Sequence, residues 1–337
     1  MISKSIIKTS IVTVAFALTV SNISLLSFSG GKGTQSDPYQ ITSKRDMELL
    51  ADSVNNGNNW SYRKYFKLMN DIEDSIRTVI GLYYDGCQFQ GYFDGNEKKI
   101  IVSINGIEGI GIFGFTGNNF VVENLNVDGK ICGIHFIGGI VASNGGKVIN
   151  CNNYALMEVE RNTGGIVASN GGKVINCNNY GTIDGINRGN TVGGIVGMND
   201  GYISNCMNAG NIKSGGHVGG IVGEDISMSY YVEFCVNIGT VKGDSSDYVS
   251  GGVGGICGRT ARESKTINCI NSGLVMSNSE EGEVGGIIGL SFGEVKNCIN
   301  TGTVKGKGNY GIGCIVGYKI SGIIENCHYD KQICSGE

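Results

Sequence analysis

The sequence predicts an all-β fold, a parallel, right-handed β-helix (β-solenoid) with a short N-terminal capping helix. Three observations predict it. The string GGIVASNGGKVINCNNY occupies residues 138–154 and recurs unchanged at 164–180, 26 positions on; self-similarity at a period of about 20–50 residues marks a solenoid or an array. Glycine supplies 57 of the 337 residues and proline only 1, which fits neither a collagen repeat nor a disordered Pro/Gly tract and implies that glycine serves fixed positions. No helical period runs between the landmarks, where short β-prone segments alternate with turn residues.

Looser copies of the glycine pair follow at Gly193-Gly194, Gly219-Gly220, Gly254-Gly255 and Gly285-Gly286, with Gly313-Cys314 as a last variant and Gly111-Ile112-Phe113-Gly114 as a first. The second landmark is Asn-Cys, at Asn150-Cys151, Asn176-Cys177, Asn205-Cys206, Asn268-Cys269, Asn297-Cys298 and Asn326-Cys327, with Phe234-Cys235 departing at the asparagine. A glycine and a short β-prone run come next, as in Gly181-Thr182-Ile183 and Gly239-Thr240-Val241. Each unit thus holds three short β segments: the Ile-Val after the glycine pair, the Ile or Val before Asn-Cys, and the Ile or Val after the later glycine. Segments this short form neither long hairpins nor β-α-β units. Coiled one turn per repeat, each pairs with its equivalent about 4.8 Å away, and the apolar residues stack inside.

A coil turns sharply about three times, and glycine alone takes positive φ or allows close backbone approach without penalty. The asparagines before cysteine fit the same corners, where stacked amides can bond to one another, so they are expected to form a structural ladder. Cys151, Cys177, Cys206, Cys235, Cys269, Cys298 and Cys327 share one equivalent position. In-register stacking keeps their Cβ atoms near 4.8 Å, wider than the roughly 3.5–4.5 Å of a disulfide. They are expected to be small, buried, reduced residues, with Cys327 and Cys334 the pair most prone to oxidation.

The ends differ from the repeats. Met47, Leu49, Leu50 and Val54 lie on helical spacing within Asp46 to Val54, and a short amphipathic helix there would cap the open end of the stack, as terminal repeats must. Tyr65-Phe66-Lys67-Leu68 and Gly91 to Asn96 read as first strands and a turn, and Asn326 to Asp330 as the closing segment. Before all of these, Lys4 and Lys8 precede an apolar run from Ile11 to Val20 and small residues near Ser29, the pattern of a cleavable secretory signal. The run is too interrupted for the roughly 20 apolar residues of a membrane span. The expected organisation is a signal peptide over 1–29, a capping segment over 30–105 and the repeat β-helix with its closing segment over 106–337.

The chain is therefore expected to be secreted or held non-covalently at the cell surface, as a monomer without a transmembrane anchor after signal cleavage. No cysteine precedes Cys87 and the single proline is Pro38, so neither a lipidated signal nor a Leu-Pro-x-Thr-Gly sorting signal is expected. The formal net charge of −4 comes with Lys and Arg spread singly, which offers no phosphate-neutralising face, so nucleic acid is not an expected partner.

Step lengths between glycine pairs vary, and most extra residues fall at one corner: Ile186 to Asn190, Asp244 to Ser250 and Ser277 to Glu283. Insertions confined to one edge can form the binding edge of a solenoid, or can be neutral solvent-exposed loops. Asp244, Asp247, Tyr248, Glu280, Glu281 and Glu283 are the ligand-contact candidates.

Gly-Gly-Ile-Val-Gly followed by Asn-Cys-x-Asn-x-Gly resembles the GLUG-motif repeats of bacterial surface and secreted proteins. The segment Gly33-Thr34-x-x-Asp37-Pro38-Tyr39-x-Ile41, with Phe93-Asp94-Gly95-Asn96, resembles the stretch that commonly precedes them. The resemblance implies a β-helical stalk or binding region. Such repeats occur in adhesin-like proteins and beside, but outside, the catalytic part of immunoglobulin-A-cleaving metallopeptidases, so the resemblance supplies no active site.

Catalytic motifs do not emerge from the residues. A zinc peptidase needs His-Glu-x-x-His, whereas His135, His217 and His328 are followed by Phe, Val and Tyr. Gly109-x-Gly111-x-x-Gly114 matches a dinucleotide fingerprint in letters but lacks its strand-helix context. No cofactor or metal is expected. The sequence reads best as an adhesin-like binder of a host or environmental glycan or protein. The alternatives are a polysaccharide lyase or hydrolase, which needs carboxylates, or a carboxylate with Arg or Lys, brought together on adjacent coils, and a passive structural spacer; equivalent positions one coil apart show no repeated acidic residues.

Overall fold

The computed structural model describes residues 27–185, 191–244, 251–280, 282–307 and 311–331. Most of the expected signal segment, the corner residues 186–190, and the contact candidates Asp247, Tyr248 and Glu281 lie outside the described residues.

The described residues wind as a parallel β-solenoid of about 10 turns with one short helix. The segments before Asn-Cys stack into an eleven-stranded parallel sheet running from Tyr39–Ile41 through Tyr65–Leu68, Tyr92–Asp94, Val121–Glu123 and Lys147–Ile149 to Ile324–Glu325. The segments after the glycine pair form an eight-stranded parallel sheet from Phe113–Phe115 through Val141–Asn144 to Val316–Lys319. The third side carries shorter ladders, such as Asn152–Asn153 on Asn178–Asn179 and Ile183–Gly185 on Ile212–Ser214. Each coil holds more than the three expected segments, because the Asn-x-Asn step and the residues just before each glycine pair, for example Thr191–Gly193 and His217–Gly219, also pair with their equivalents. Any extended stretch of a coil lies opposite its copy and finds backbone partners there.

The solenoid begins earlier than the repeat. No repeat register is visible over 37–100, yet Tyr39–Ile41, Tyr65–Leu68 and Tyr92–Asp94 stack in register beneath the repeat coils. Here the interior is filled by large rings instead of the small repeat letters: Phe66, Phe89, Phe93, Phe113 and Phe120 are fully buried, with neighbouring ring centroids 5.0–5.7 Å apart. In the repeat coils β-branched residues take over, in columns such as Ile140, Ile166, Ile195, Ile221, Ile256 and Ile287, all fully buried. Each such side chain contributes roughly 1.5–3 kcal/mol of burial.

The helix covers Lys44–Asn55, slightly longer than the pattern alone marks out, and buries Met47, Leu50, Ala51 and Val54. Leu49 is only half-buried. Ser43 caps the helix by accepting from the Asp46 N–H, while the buried Asp46 carboxylate accepts from the Thr42 N–H and from the hydroxyls of Ser29, Thr42 and Ser43. Burial opposes ionisation of Asp46, but these bonds outweigh it and hold the carboxyl below its ordinary range. Among the described residues no helix is long and apolar enough to cross a membrane.

The corner chemistry divides between glycine and asparagine in an unexpected way. None of the paired glycines has positive φ; the left-handed corner is taken by Asn150, Asn176, Asn205, Asn268, Asn297 and Asn326, at φ 51 to 56°, and by Phe234 at 54°. Asparagine tolerates this conformation, whereas a bulky aromatic is strained by it. The paired glycines are needed for close approach. A Cβ on Gly194 would lie 2.1 Å from the Gly220 carbonyl oxygen and 2.5 Å from the Asn208 side chain, and Gly165, Gly220 and Gly255 meet the equivalent atoms.

Those contacts expose the main internal ladder, which is built by the asparagine two residues after each cysteine. Asn153, Asn179, Asn208, Asn237, Asn271 and Asn300 are buried, and each Nδ2 from Asn153 to Asn271 donates to the Oδ1 of the next coil at 2.8–2.9 Å. The second Nδ2 hydrogen of Asn208 goes to the Gly210 carbonyl at 2.9 Å, with the same bond at Asn179, Asn237, Asn271 and Asn300. The amide capacity is thereby used inside the core. A shorter ladder runs along the ends of the eight-stranded sheet, Asn144 to Asn170 to Asn199 to Asp225, at 2.8–2.9 Å.

Beside the amides stands the cysteine column. Cys151, Cys177, Cys206, Cys235, Cys269 and Cys298 are buried free thiols, directed at the backbone carbonyl two residues earlier at 3.2–3.3 Å. Burial pushes the thiols of Cys151, Cys206, Cys235 and Cys269 far above their ordinary range. The expected oxidation of Cys327 is corrected: its thiol is free, held in the column by the Glu325 and Val295 carbonyls at 3.3 and 3.6 Å, and among the described residues it is Cys314 that is disulfide-bonded. Cys334 lies outside the described residues.

Two predictions follow from the ladders. Asn208→Gly orphans buried partners on both neighbouring coils, each worth about 1–3 kcal/mol, and is expected to lower unfolding free energy by at least about 2 kcal/mol. Asn205→Gly, at an exposed position of positive φ, is expected to change it by only a few tenths, because glycine takes that conformation freely; urea unfolding of both variants checks the contrast. The second concerns Asp225, fully buried, whose Oδ1 accepts from Asn199 and Ser227 while Oδ2 has no partner. Burial raises its carboxyl to about 6, so between about pH 4 and 6 the folded state keeps a proton that the unfolded chain releases. Stability therefore falls as pH rises through that window, by on the order of 3 kcal/mol in total. Asp225→Asn is expected to be flat across the window and more stable at neutral pH in the same unfolding assay.

Candidate amide groove

The alternation of inward and outward residues places the outer surface of this corner. The chain leaves the eleven-stranded sheet at Asn150, turns Cys151 inward, Asn152 outward, Asn153 inward and Tyr154 outward, and the next coil repeats this with Asn176, Cys177, Asn178, Asn179 and Tyr180. One coil earlier, Asn124, at φ 55°, and Asn126 occupy the equivalent places. Two parallel rows of outward amides result, Asn124-Asn150-Asn176 and Asn126-Asn152-Asn178, lining a groove of about 450 Å³ with Glu97 at one end.

Hydrogen bonds along each row hold the amides in place. Asn150 donates to Asn124 at 3.2 Å and Asn176 to Asn150 at 3.1 Å; Asn152 donates to Asn126 at 2.8 Å and Asn178 to Asn152 at 2.9 Å. The rows are anchored where Asn126 donates to the Glu97 carbonyl at 2.9 Å and Asn124 to the Asp94 carboxylate at 3.2 Å. An amide offers two N–H donors and two acceptor lone pairs, so a middle member such as Asn150 or Asn152 that donates once and accepts once along its row keeps one donor and one acceptor for a ligand. The row therefore repeats a donor and an acceptor at the coil spacing of about 4.8 Å.

Beside the rows, the Tyr154 and Tyr180 rings stack at 4.9 Å and 9°, 45% and 41% exposed. Partial burial first, then Tyr180 and Asp128, raise the Tyr154 hydroxyl above its ordinary range, so it is a neutral donor at physiological pH. The second row ends at the next coil, while the first continues through the exposed Asn205 before reaching Phe234 one coil further on. Met207, Val236, Ile270 and Ile299 continue the Asn126-Asn152-Asn178 row in register, and the strained Phe234 stands 51% exposed at the corner. The amide groove is thus bounded at both ends.

The insertion corner looks different. The Asp244 carboxylate faces Lys213 at 3.2 Å and Lys242 at 3.6 Å and accepts from Asn278 at 3.2 Å. Burial opposes its ionisation, but these three partners hold the carboxyl below its ordinary range. It ties three coils together at the foot of the loop. Glu280 is exposed in a turn, and Glu283 lends its carbonyl to the Val253 N–H at 2.7 Å. Acidic residues do stack, contrary to the expectation from repeat spacing: Asp94 lies in register with Glu123, and Glu158 with Asp184. Their repeats were concealed because the first pair precedes the glycine landmarks and the second lies on strands of unequal length.

The groove residues were legible in one signal, the letters Asn-x-Asn-x-Tyr beginning at Asn150 and Asn176. With cysteine inward, alternation forces the other three letters outward.

Comparison with known proteins places the fold. No family model matches the chain. A protein of Evansella cellulosilytica named "Putative Gly-rich membrane protein" is 29% identical over 136 residues, 36% of this chain and 15% of that protein, so the chain spans only a small part of its length. The crystal structure of a "putative immunoglobulin A1 protease" from Bacteroides ovatus superposes with a TM-score of 0.51 and 19% identity, covering 90% of this chain and 87% of that one. At this identity the likeness shows a shared β-helical fold.

Proposed function

We propose that the chain is a GLUG-type repeat solenoid acting outside the cell or at its surface, as an adhesin-like binder of an elongated neutral glycan lying along the amide groove. The observation that carries this reading is the pair of periodic amide rows flanked by the exposed Tyr154-Tyr180 stack. Sugar hydroxyls both donate and accept, which suits amides that keep one of each. The C–H face of a sugar ring packs against an aromatic face, which suits a tyrosine pair with one side open to solvent. The rows are fixed by their own hydrogen bonds before any ligand arrives, so little side-chain entropy is lost on binding. The secretory-type N-terminus and the partial likeness to a Gly-rich membrane protein support a location outside the cytoplasm.

The test is affinity electrophoresis of the chain through immobilised neutral polysaccharides (mannan, galactan, xylan), with chain cleavage assayed in the same samples. Tyr154→Ala/Tyr180→Ala is expected to weaken retention at least tenfold, about 1.4 kcal/mol, without altering the circular dichroism spectrum. Equal retention of parent and variant, or retention by none of the three, overturns the groove reading. New reducing or unsaturated ends would favour a lyase or hydrolase instead.

A further inference from the structure

A second recognition surface lies on the N-terminal coils, around the ring pair Tyr65 and Tyr92, stacked in register on the outer face of the eleven-stranded sheet with centroids 5.4 Å apart. The pair forms a ridge between two hollows of about 250 and 220 Å³. The two charged residues of the first hollow, Lys67 and Asp94, pair with each other at 2.9 Å, and the Tyr92 hydroxyl donates to the neighbouring Glu123.

The second hollow carries Arg63 and Lys64, with Gln90 and Asn119 beside them. Among the described residues neither cation has a carboxylate partner. Arg63 lies over the Tyr62 ring at 5.1 Å, and Lys64 over the Trp60 ring at 3.5 Å. Cation–π contact orients a cation without neutralising it, and burial alone lowers the Lys64 ammonium below its ordinary range. The loop holding them is tightly built: Asn58, Asn59 and Arg63 all sit at φ between 51 and 63°. It lies so close to the coil that a Cβ on Gly91 would stand 2.8 Å from the Lys64 carbonyl oxygen and 2.9 Å from that of Ser61. Asparagine tolerates positive φ, so the strain falls on Arg63, one of the two cations, and backbone strain of this kind is a feature that ligand clamps retain.

We propose that this hollow binds the carboxylate-bearing ring of an acidic saccharide, a uronate. The ring packs on the Tyr65-Tyr92 ridge, Arg63 and Lys64 take the carboxylate, and Gln90 and Asn119 take hydroxyls. Arg presents a planar fork that matches a carboxylate with two parallel bonds. The tyrosine ridge adds what a free inorganic anion cannot use, which separates a uronate from sulfate or phosphate. This site lies apart from the amide groove and goes beyond the neutral-glycan reading.

The experiment is calorimetric titration of the full chain with trigalacturonate, its carboxyl-reduced neutral counterpart, and inorganic sulfate. Trigalacturonate is expected to bind more tightly than either, with affinity falling as salt rises. Arg63→Gly removes the guanidinium while leaving the positive φ unstrained, and Lys64→Gln keeps the side-chain length. Each is expected to weaken trigalacturonate binding at least tenfold, while retention on neutral polysaccharide stays unchanged. Tyr154→Ala/Tyr180→Ala is expected to leave trigalacturonate binding intact, so failure of one site is distinguishable from failure of the other. Equal binding of the carboxyl-reduced sugar, sulfate binding as tight as trigalacturonate, undiminished binding by both cation variants, or no binding by the parent chain overturns the proposal.

Discussion

The buried amide ladder from Asn153 to Asn300 is the constraint on which the rest depends. Stacking identical polar side chains inside a core is costly unless each is satisfied. Here each interior amide, Asn179 to Asn271, bonds its neighbour above and below and its own turn, so the cost is met only if every coil sits in register. That requirement reaches outward. The second glycine of each pair is needed because the ladder side chain occupies the space of its Cβ, and the residue before each cysteine must accept positive φ for the chain to arrive at the ladder in the right orientation. Asp225 shows the rule by exception. A carboxylate cannot donate onward, and the shorter ladder ends at it, with Thr260 standing in register on the next coil.

Much of this was legible in the sequence. The 26-residue identity between 138–154 and 164–180 became strand register directly, with Lys147 opposite Lys173 and Ile149 opposite Ile175. The spacing of Met47, Leu50 and Val54 marked the capping helix. Other features were illegible for physical reasons. Both asparagines of Asn-Cys-x-Asn recur, and letters alone do not say which faces inward; alternation from the buried cysteine decides it. The N-terminal coils hid because bulky phenylalanines fill an interior that Ile, Val and Cys fill later, so the fold repeats while the sequence does not. Cys327 stays a free thiol because it continues the column at the Val295 and Glu325 carbonyls, while Cys314, at a glycine-pair position, is the one oxidised among the described residues.

The ladder also explains why the outer surface can vary. Once inward letters fix the register, outward letters are free to differ from coil to coil, and three chemistries occupy separate stretches of one rigid body. Tyrosines with unpaired cations lie on the first coils, amide rows with a tyrosine stack on the next, and an apolar strip around Phe234 and Ile270 on those beyond. The insertion corner adds Asp244, which the structure employs to bind coils together. A solenoid of this kind can present different side-chain columns at fixed coil intervals on one frame.

The most direct test of the ladder is the lifetime of its side-chain amide protons. In nitrogen-15 spectra recorded after transfer to heavy water, the Nδ2 protons of Asn179, Asn208, Asn237 and Asn271 are expected to persist long after those of the exposed Asn150 and Asn176 have exchanged. Loss of all of these signals at a common, surface-like rate would contradict the account, since no closed amide column could then be holding the coils in register.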